Sequence, residues 1–393
     1  MANTAIRPFR IAVPDADLVD LRERLARTRW PEREPVSSED AVNWTQGIPL
    51  DYMRELTAYW AQDYDWRVRE ARLNTFEQFV TEIDGLDIHF IHRRCANPDA
   101  LPLVITHGWP GSIAEFAKVI EPLARDFHVV CPSLPGYGFS GKPAAPGWNV
   151  QRIAAAWDSL MARLGYQRYG AQGGDWGAMV TTEIGRNAGS NRAGCIAIHL
   201  NMPVAPPPGP IENPTPDEVA AMTAFDHYKK WDSGYSKQQS TRPQTLGYGL
   251  ADSPVGQLAW IVEKFWAWTD CDGHPENVLT KDEMLDDVML YWLTNSAASS
   301  ARLYWESLGV RNPGKVGKDN PGKVGKDTVP TGVASFPKEI IKAPRRWCEN
   351  AYAITHWADM PRGGHFAAFE QPELFVGDVR AFFSEFSVAN PAR

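Results

Sequence analysis

Apolar positions along this chain follow two rhythms, and the change from one to the other outlines a fold. Over Asp15–Thr28, Leu18, Leu21 and Leu25 recur at helical spacing among Asp and Arg residues. This predicts an amphipathic helix, which Pro31 ends. Helical stretches are also predicted over Asp51–Gln62 and Val68–Phe79, so the chain opens on a mostly helical arm ahead of any buried strand. Within Phe79–Arg93, Asp84-Gly85 separates two apolar-rich runs and reads as a tight hairpin turn. Short, strongly apolar runs follow at Leu103–Thr106, His128–Pro132 and Ile196–Leu200, as expected of buried parallel strands. Helical stretches separate them. One is Val150–Leu164, with Asn149 placed to cap it and Gly165 to end it. Strands alternating with helices predict a parallel α/β sheet.

The alternation breaks after Met202. Residues 203–216 are proline-rich and read as a linker, and from about Glu218 to Leu308 the pattern is helical and aromatic, as in an inserted cap. Residues 312–319 and 320–327 both read NPGKVGKD, a short duplication expected to form an exposed, mobile loop. The α/β pattern returns with strands at Gly332–Phe336 and Ala351–Trp357 and a closing helix at Pro372–Ser384. The expected division is a helical arm (1–80), a first part of the α/β core (81–202), a cap (203–310), the repeat loop (311–330) and a second part of the core (331–393).

Composition narrows the function classes. A net charge of −8 argues against a nucleic-acid binder, which would carry a basic face. The five cysteines, Cys95, Cys131, Cys195, Cys271 and Cys348, are odd in number and scattered, with no CxxC. This points away from disulfides and structural zinc and towards a reducing cytoplasm. His89 and His92 are spaced HxxH but have no acidic or Cys partner in the strand predicted for them, so no metal is expected. No apolar run is long enough for a signal peptide or a membrane span. A soluble, cytoplasmic protein without membrane or nucleic-acid partners is expected; a homodimer stays open.

Candidate chemistry lies at the ends of the predicted strands. Gly136-Tyr-Gly138-Phe-Ser-Gly141 matches GxGxxG, but the prolines at 143 and 146 oppose the helix that a dinucleotide site needs directly after it. Gly173-Gly174-Asp175-Trp176-Gly177 follows an apolar stretch and precedes a helical one. Small residues two positions either side of Asp175 give the spacing of a nucleophile elbow, with a carboxylate where serine hydrolases carry serine. The plainer alternative is a glycine-rich turn with Asp175 as helix cap. A carboxylate nucleophile suits attack on sp³ carbon, giving an alkyl ester that water hydrolyses at the carbonyl. Epoxides and alkyl halides fit that chemistry.

The remaining parts follow the chain order of this fold. After the strand Leu103–Thr106 comes His107-Gly108-Trp109-Pro110. The backbone amides of Trp109 and Trp176 are assigned to the oxyanion hole, with His107 structural. Gly363-Gly364-His365 follows the last strand, so His365 is the candidate base. Its acidic partner would be Glu339, with Asp359 as competitor.

His-Gly-Trp-Pro (107–110), Gly-Gly-Asp-Trp-Gly (173–177), Phe-Pro-Lys-Glu (336–339) and Arg-Gly-Gly-His-Phe-Ala-Ala-Phe-Glu (362–370) together resemble the microsomal-type epoxide hydrolases. So do Gly-Tyr-Ser-Lys (234–237) in the cap and Arg-Trp-Pro (29–31) in the helical arm. The resemblance implies an α/β-hydrolase fold: a mostly parallel central sheet with flanking helices, the N-terminal arm and the inserted cap. It supports Glu339 over Asp359. It further implies that two cap tyrosines, Tyr235 and Tyr304, hydrogen-bond the epoxide oxygen. The substrates would be a small apolar epoxide and water, with no cofactor. Trp231, Trp260, Trp266, Trp268, Trp292 and Trp305 suggest a large apolar or aromatic epoxide. Haloalkane dehalogenase, using the same Asp and His, is the alternative within the fold; an inactive ligand-binding member is the alternative outside catalysis.

Overall fold

The computed structural model describes residues 4–36, 44–188, 194–309 and 329–386. The duplicated NPGKVGKD segment lies outside the described residues. Among the described residues nine strands form one sheet: β1 (Arg7–Phe9), β2 (Gln78–Ile83), β3 (Leu86–Arg93), β4 (Leu101–Thr106), β5 (Phe127–Pro132), β6 (Arg168–Gly173), β7 (Gly194–Leu200), β8 (Pro330–Ser335) and β9 (Ala353–Asp359). Their order is β1-β2-β3-β5-β4-β6-β7-β8-β9. The pairings from β5 to β9 are parallel, and β1, β2 and β3 extend the sheet antiparallel. Every residue of β4 and β5 is buried, as a strand covered by helices on both faces requires. This is the α/β-hydrolase fold that the motif order implied.

Local chemistry accounts for most of the boundaries. Ile83 pairs with Leu86 across a two-residue turn in which Asp84 and Gly85 both take positive φ, 52° and 77°, the backbone that Asp-Gly favours. Asn149 accepts a hydrogen bond from the Arg152 amide and caps the helix Val150–Arg163. One expectation fails at the amino end, and one element goes unforeseen. The third helix ends at Leu73 instead of running to Phe79, because Gln78–Ile83 is claimed by pairing with β3. The short, mostly exposed β1, which pairs with β2, leaves no apolar period to read in a sequence.

Between β7 and β8 the described chain is helical from Pro216 to Leu308. Thr215 with Glu218, and Thr280 with Glu283, form capping boxes that start the helices Pro216–His227 and Lys281–Leu293. The amino-terminal arm braces this segment from outside. Tyr64 donates to Asp286 Oδ1 at 2.8 Å, Arg69 pairs with Asp286, and the Trp60 indole reaches Met289 Sδ at 3.3 Å. No helix among the described residues is long and apolar enough to cross a membrane.

Candidate active site

Parallel strands put their carboxyl ends on one edge of the sheet, and the loops leaving β4, β6, β8 and β9 meet there. Asp175 stands directly after β6, ahead of the helix Trp176–Arg186, at φ 50° and ψ −128°. Side chains rarely adopt that backbone, and it persists only where the surroundings enforce it. The glycines explain how. A Cβ at Gly173 would lie 2.1 Å from the Gly177 carbonyl oxygen, and one at Gly177 would lie 1.9 Å from that of Thr106. Strand, turn and helix approach too closely for any side chain but hydrogen, so Asp175 is pushed out at the apex.

The Asp175 carboxylate is buried and held at both oxygens. The Trp109 amide donates to Oδ1 at 2.8 Å, and His365 Nε2 lies 3.3 Å from Oδ2. On its far side, His365 Nδ1 is 2.6 Å from Glu339 Oε1, which also accepts from the Ile340 amide at 2.7 Å. The loops carrying these two residues are stitched together by the Lys338 amide donating to Gly363 O at 3.0 Å. Asp359 instead sits at the end of β9, accepting from the Trp357 indole. Of the two amides expected at the oxyanion position, Trp109's meets the carboxylate; Trp176's opens the helix that follows Asp175. Burial opposes a charged His365, but Glu339 and Asp175 outweigh it and hold the imidazolium well above the usual histidine range.

His107 behaves as a structural group. Its Nδ1 meets Gly108 O at 2.9 Å, its Nε2 accepts from the Leu134 amide at 3.1 Å, and burial drops its pKa to about 4. His89 bonds Ser133 and Gln78, and His92 bonds Tyr166. Gly136 and Gly138 shape a loop, both with positive φ, and the next helix starts only at Val150.

Aromatic rings roof the carboxylate. Tyr235, on the helix Gly234–Thr241, stacks on Trp109 with centroids 4.9 Å apart and planes 8° from parallel. Tyr304, on the helix Ala297–Leu308, meets the Trp176 ring edge-on at 4.7 Å. The two tyrosine rings are 5.8 Å apart, and burial raises both phenols well above the ordinary tyrosine range. The six cap tryptophans that suggested a large apolar epoxide sit in different settings. Trp260 and Trp268 pack on Trp109. Trp231 is 71% exposed, Trp266 stacks on Trp44, Trp292 lies under Arg24, and Trp305 lines a separate cleft. Counting tryptophans cannot tell these settings apart.

Several residues that sequence reasoning passed over complete the site. A cavity of about 20 Å³ beside Asp175 and His365 is also lined by Glu115 and Asn201, and it has room for one water. Burial raises the Glu115 carboxyl well above its usual range. The Asn201 carboxamide is fixed by Gln172 at 2.9 Å. The His365 loop is tied to the helical segment above it. Trp268 O accepts from the His365 amide at 2.8 Å, Asp270 accepts from Gly363 at 3.0 Å, and Glu370 accepts from the Asp270 and Gly364 amides at 2.9 Å each.

Comparison with known proteins gives this geometry a context. Residues 6–116 match the family described as epoxide hydrolase N terminus, and residues 102–215 match the alpha/beta hydrolase fold. A Stigmatella aurantiaca protein, provisionally named an epoxide hydrolase, is 50% identical over 97% of this chain and 85% of its own length. Epoxide hydrolase 1 of Sus scrofa is 36% identical over 97% of this chain and 89% of its own length. Among solved structures, juvenile hormone epoxide hydrolase from the silkworm Bombyx mori matches with a TM-score of 0.88 at 33% identity, covering 98% of this chain and 95% of that one.

Proposed function

The chain belongs to the epoxide hydrolase family, and from that premise we propose that it converts an apolar epoxide and water to a vicinal diol through a covalent ester on Asp175. The observation that carries this reading is a carboxylate held by an amide on one oxygen and an imidazole on the other, under two buried phenols. Attack by Asp175 on an epoxide carbon forms a C–O ester bond as the ring C–O bond breaks. Tyr235 and Tyr304 donate to the departing oxygen. Carboxylate attack at an acyl carbon would only form an anhydride, so the same apparatus has no use for ordinary esters.

The charge arrangement times the second step. In the resting enzyme, two carboxylates keep His365 protonated against its burial. Esterification neutralises Asp175 and removes one of them. The imidazole then loses its proton and becomes a base for water, while Glu339 steadies the cation that forms again on proton abstraction. Hydroxide attacks the ester carbonyl from the small cavity beside Asp175 and His365. The tetrahedral oxyanion takes hydrogen bonds from the Trp109 and Trp176 amides, and the diol leaves. In this reading the helical segment between Pro216 and Leu308 is the cap that covers the substrate, whose apolar surface meets Trp109, Trp260 and Trp268. The five buried, free cysteines support a reducing, cytoplasmic setting.

Diol formation from styrene oxide and larger aryl epoxides tests the proposal. Wild type is expected to turn over, and Asp175→Asn at matched circular dichroism to lose about 10⁴-fold or more, as removal of a nucleophile does elsewhere. Equal rates would remove Asp175 from the mechanism. A folded wild type without diol from any of these epoxides would remove the epoxide.

A further inference from the structure

Resting on the epoxide reading above, we propose that, of the two cap tyrosines, Tyr235 gives its proton to the opening epoxide oxygen, and that a third, Tyr228, is the positioning residue that returns it. Tyr228 lies seven residues before Tyr235, on a π-helical turn spanning Tyr228–Asp232. Its hydroxyl is 2.9 Å from that of Tyr235 and also engages the Ser236 side chain. Tyr228 is half-buried while Tyr235 is buried, so the pair runs from the site towards solvent. A hydroxyl both donates and accepts; Tyr228 can hand a proton inward and take one from outside. The Tyr304 hydroxyl instead faces the Trp176 side chain, and an indole N–H only donates. It steadies a hydroxyl but passes no proton through.

A second feature favours Tyr235 as the group that carries negative charge. Lys264 Nζ sits 4.9 Å from the centroid of its ring, buried and fixed by Asp232 Oδ1 at 2.7 Å. An ammonium over an aromatic face is attracted to it, and more strongly once the ring is a phenolate. Asp232 belongs to the same π-helical turn as Tyr228, so one irregular turn supplies the relay hydroxyl and the anchor of the cation; such turns recur at functional sites.

The protons balance. As the Asp175–carbon bond forms and the ring C–O bond breaks, the Tyr235 proton moves to the oxide oxygen. Tyr228 gives its own proton to the Tyr235 phenolate and recovers one from solvent. His365, protonated at rest, gives its proton to solvent once Asp175 is esterified, takes one back from the attacking water and keeps it as Asp175 regains its charge; the expelled diol oxygen takes the hydrogen of the added hydroxide, so the enzyme ends each cycle as it began.

The test is single-turnover ester formation with styrene oxide, read as the mass of the covalent adduct after acid quench, in wild type, Tyr228→Phe, Tyr235→Phe and the double variant. Tyr228→Phe is expected to slow ester formation about tenfold, the weight of one hydrogen bond, and to add nothing in the Tyr235→Phe background. Hydrolysis of the ester once formed should keep its wild-type rate. Equal slowing in both backgrounds would mean that Tyr228 only packs the cap and would overturn the relay. An unchanged rate in Tyr228→Phe would overturn it as well. A folded wild type that forms no ester would overturn the epoxide reading itself, a result distinct from either.

Discussion

At the sheet edge, Asp175, Glu339 and His365 are placed by backbone: a strained elbow, two glycine-bearing loops and amide hydrogen bonds to carboxylates. Above them, Tyr235 and Tyr304 are placed by ring faces, stacked or edge-on against Trp109 and Trp176. The sheet side handles full charges, two carboxylates and the imidazolium between them. The cap side offers neutral hydroxyls in an apolar setting. Charges need fixed dipoles around them, because moving a buried charge is costly, whereas stacked rings tolerate adjustment around substrates of different shape. On the proposed mechanism the two chemical steps fall to the two regions: the cap opens the ring, and the sheet edge, once Asp175 has attacked, cleaves the ester.

That division has a sharp kinetic consequence. In His365→Gln, turnover should fall about 10³-fold or more, while the first ester still forms and stays on Asp175, visible as a stable mass increase on the intact protein. Combining Tyr235→Phe with Tyr304→Phe should give the opposite pattern. Ester formation itself should slow by roughly 10²-fold or more, the scale of lost acid catalysis, and no adduct should build up. An adduct accumulating in the tyrosine pair variant, or absent from His365→Gln, would break the assignment of steps to regions.

The two regions also differed in what the sequence disclosed. The elbow was legible because its requirement is local: glycines two positions either side of Asp175 are the residues whose side chains would strike Gly177 and Thr106. The Asp84-Gly85 turn was legible for the same reason. His365 and Glu339 followed from the order of strands, since each loop leaves the same sheet edge. The cap gave no such handle. Tyr235 and Tyr304 were named through family resemblance, because a tyrosine on an aromatic helix looks like packing until its neighbours are known. Glu115, Asn201 and Asp270 join the site through contacts distant in the chain, and Tyr228 through a π-helical turn that no apolar period announces. The settings of Trp231 and Trp266 could not be read either, because composition carries no direction.

The seam between the regions can be probed through Glu370, which accepts amide hydrogen bonds from Asp270 above and Gly364 below. Burial pushes its carboxyl up to about 7, against the pull of those amides. In the unfolded chain a glutamate titrates near ~4.3. Between these values the folded protein holds the extra proton, so this group's contribution is full below about pH 4 and declines as pH rises through about 7. Glu370→Gln removes that slope. The variant loses an acceptor and should be less stable at pH 5, but its deficit should shrink by up to about 3 kcal/mol by pH 8. Denaturant unfolding at a series of pH values checks this; a deficit independent of pH would show that Glu370 is already ionised at pH 5 in the fold.

The smallest effect should come from Asp270→Asn. Asparagine keeps an oxygen for the Gly363 amide, now 3.0 Å from Asp270 Oδ2, but without the charge that makes such a bond roughly twice as strong. The loss should be about 1 kcal/mol, a melting temperature lower by ~2 °C in a chain of this size. Gly363 precedes His365 by two residues and touches none of the groups that open the epoxide. A slightly looser loop should therefore slow ester hydrolysis by about threefold, a cost well under one hydrogen bond, and leave ester formation unchanged. If both steps slowed alike in single-turnover measurements, the seam would be supporting the whole site, and the sheet edge and cap would have to be treated as one catalytic unit instead of two.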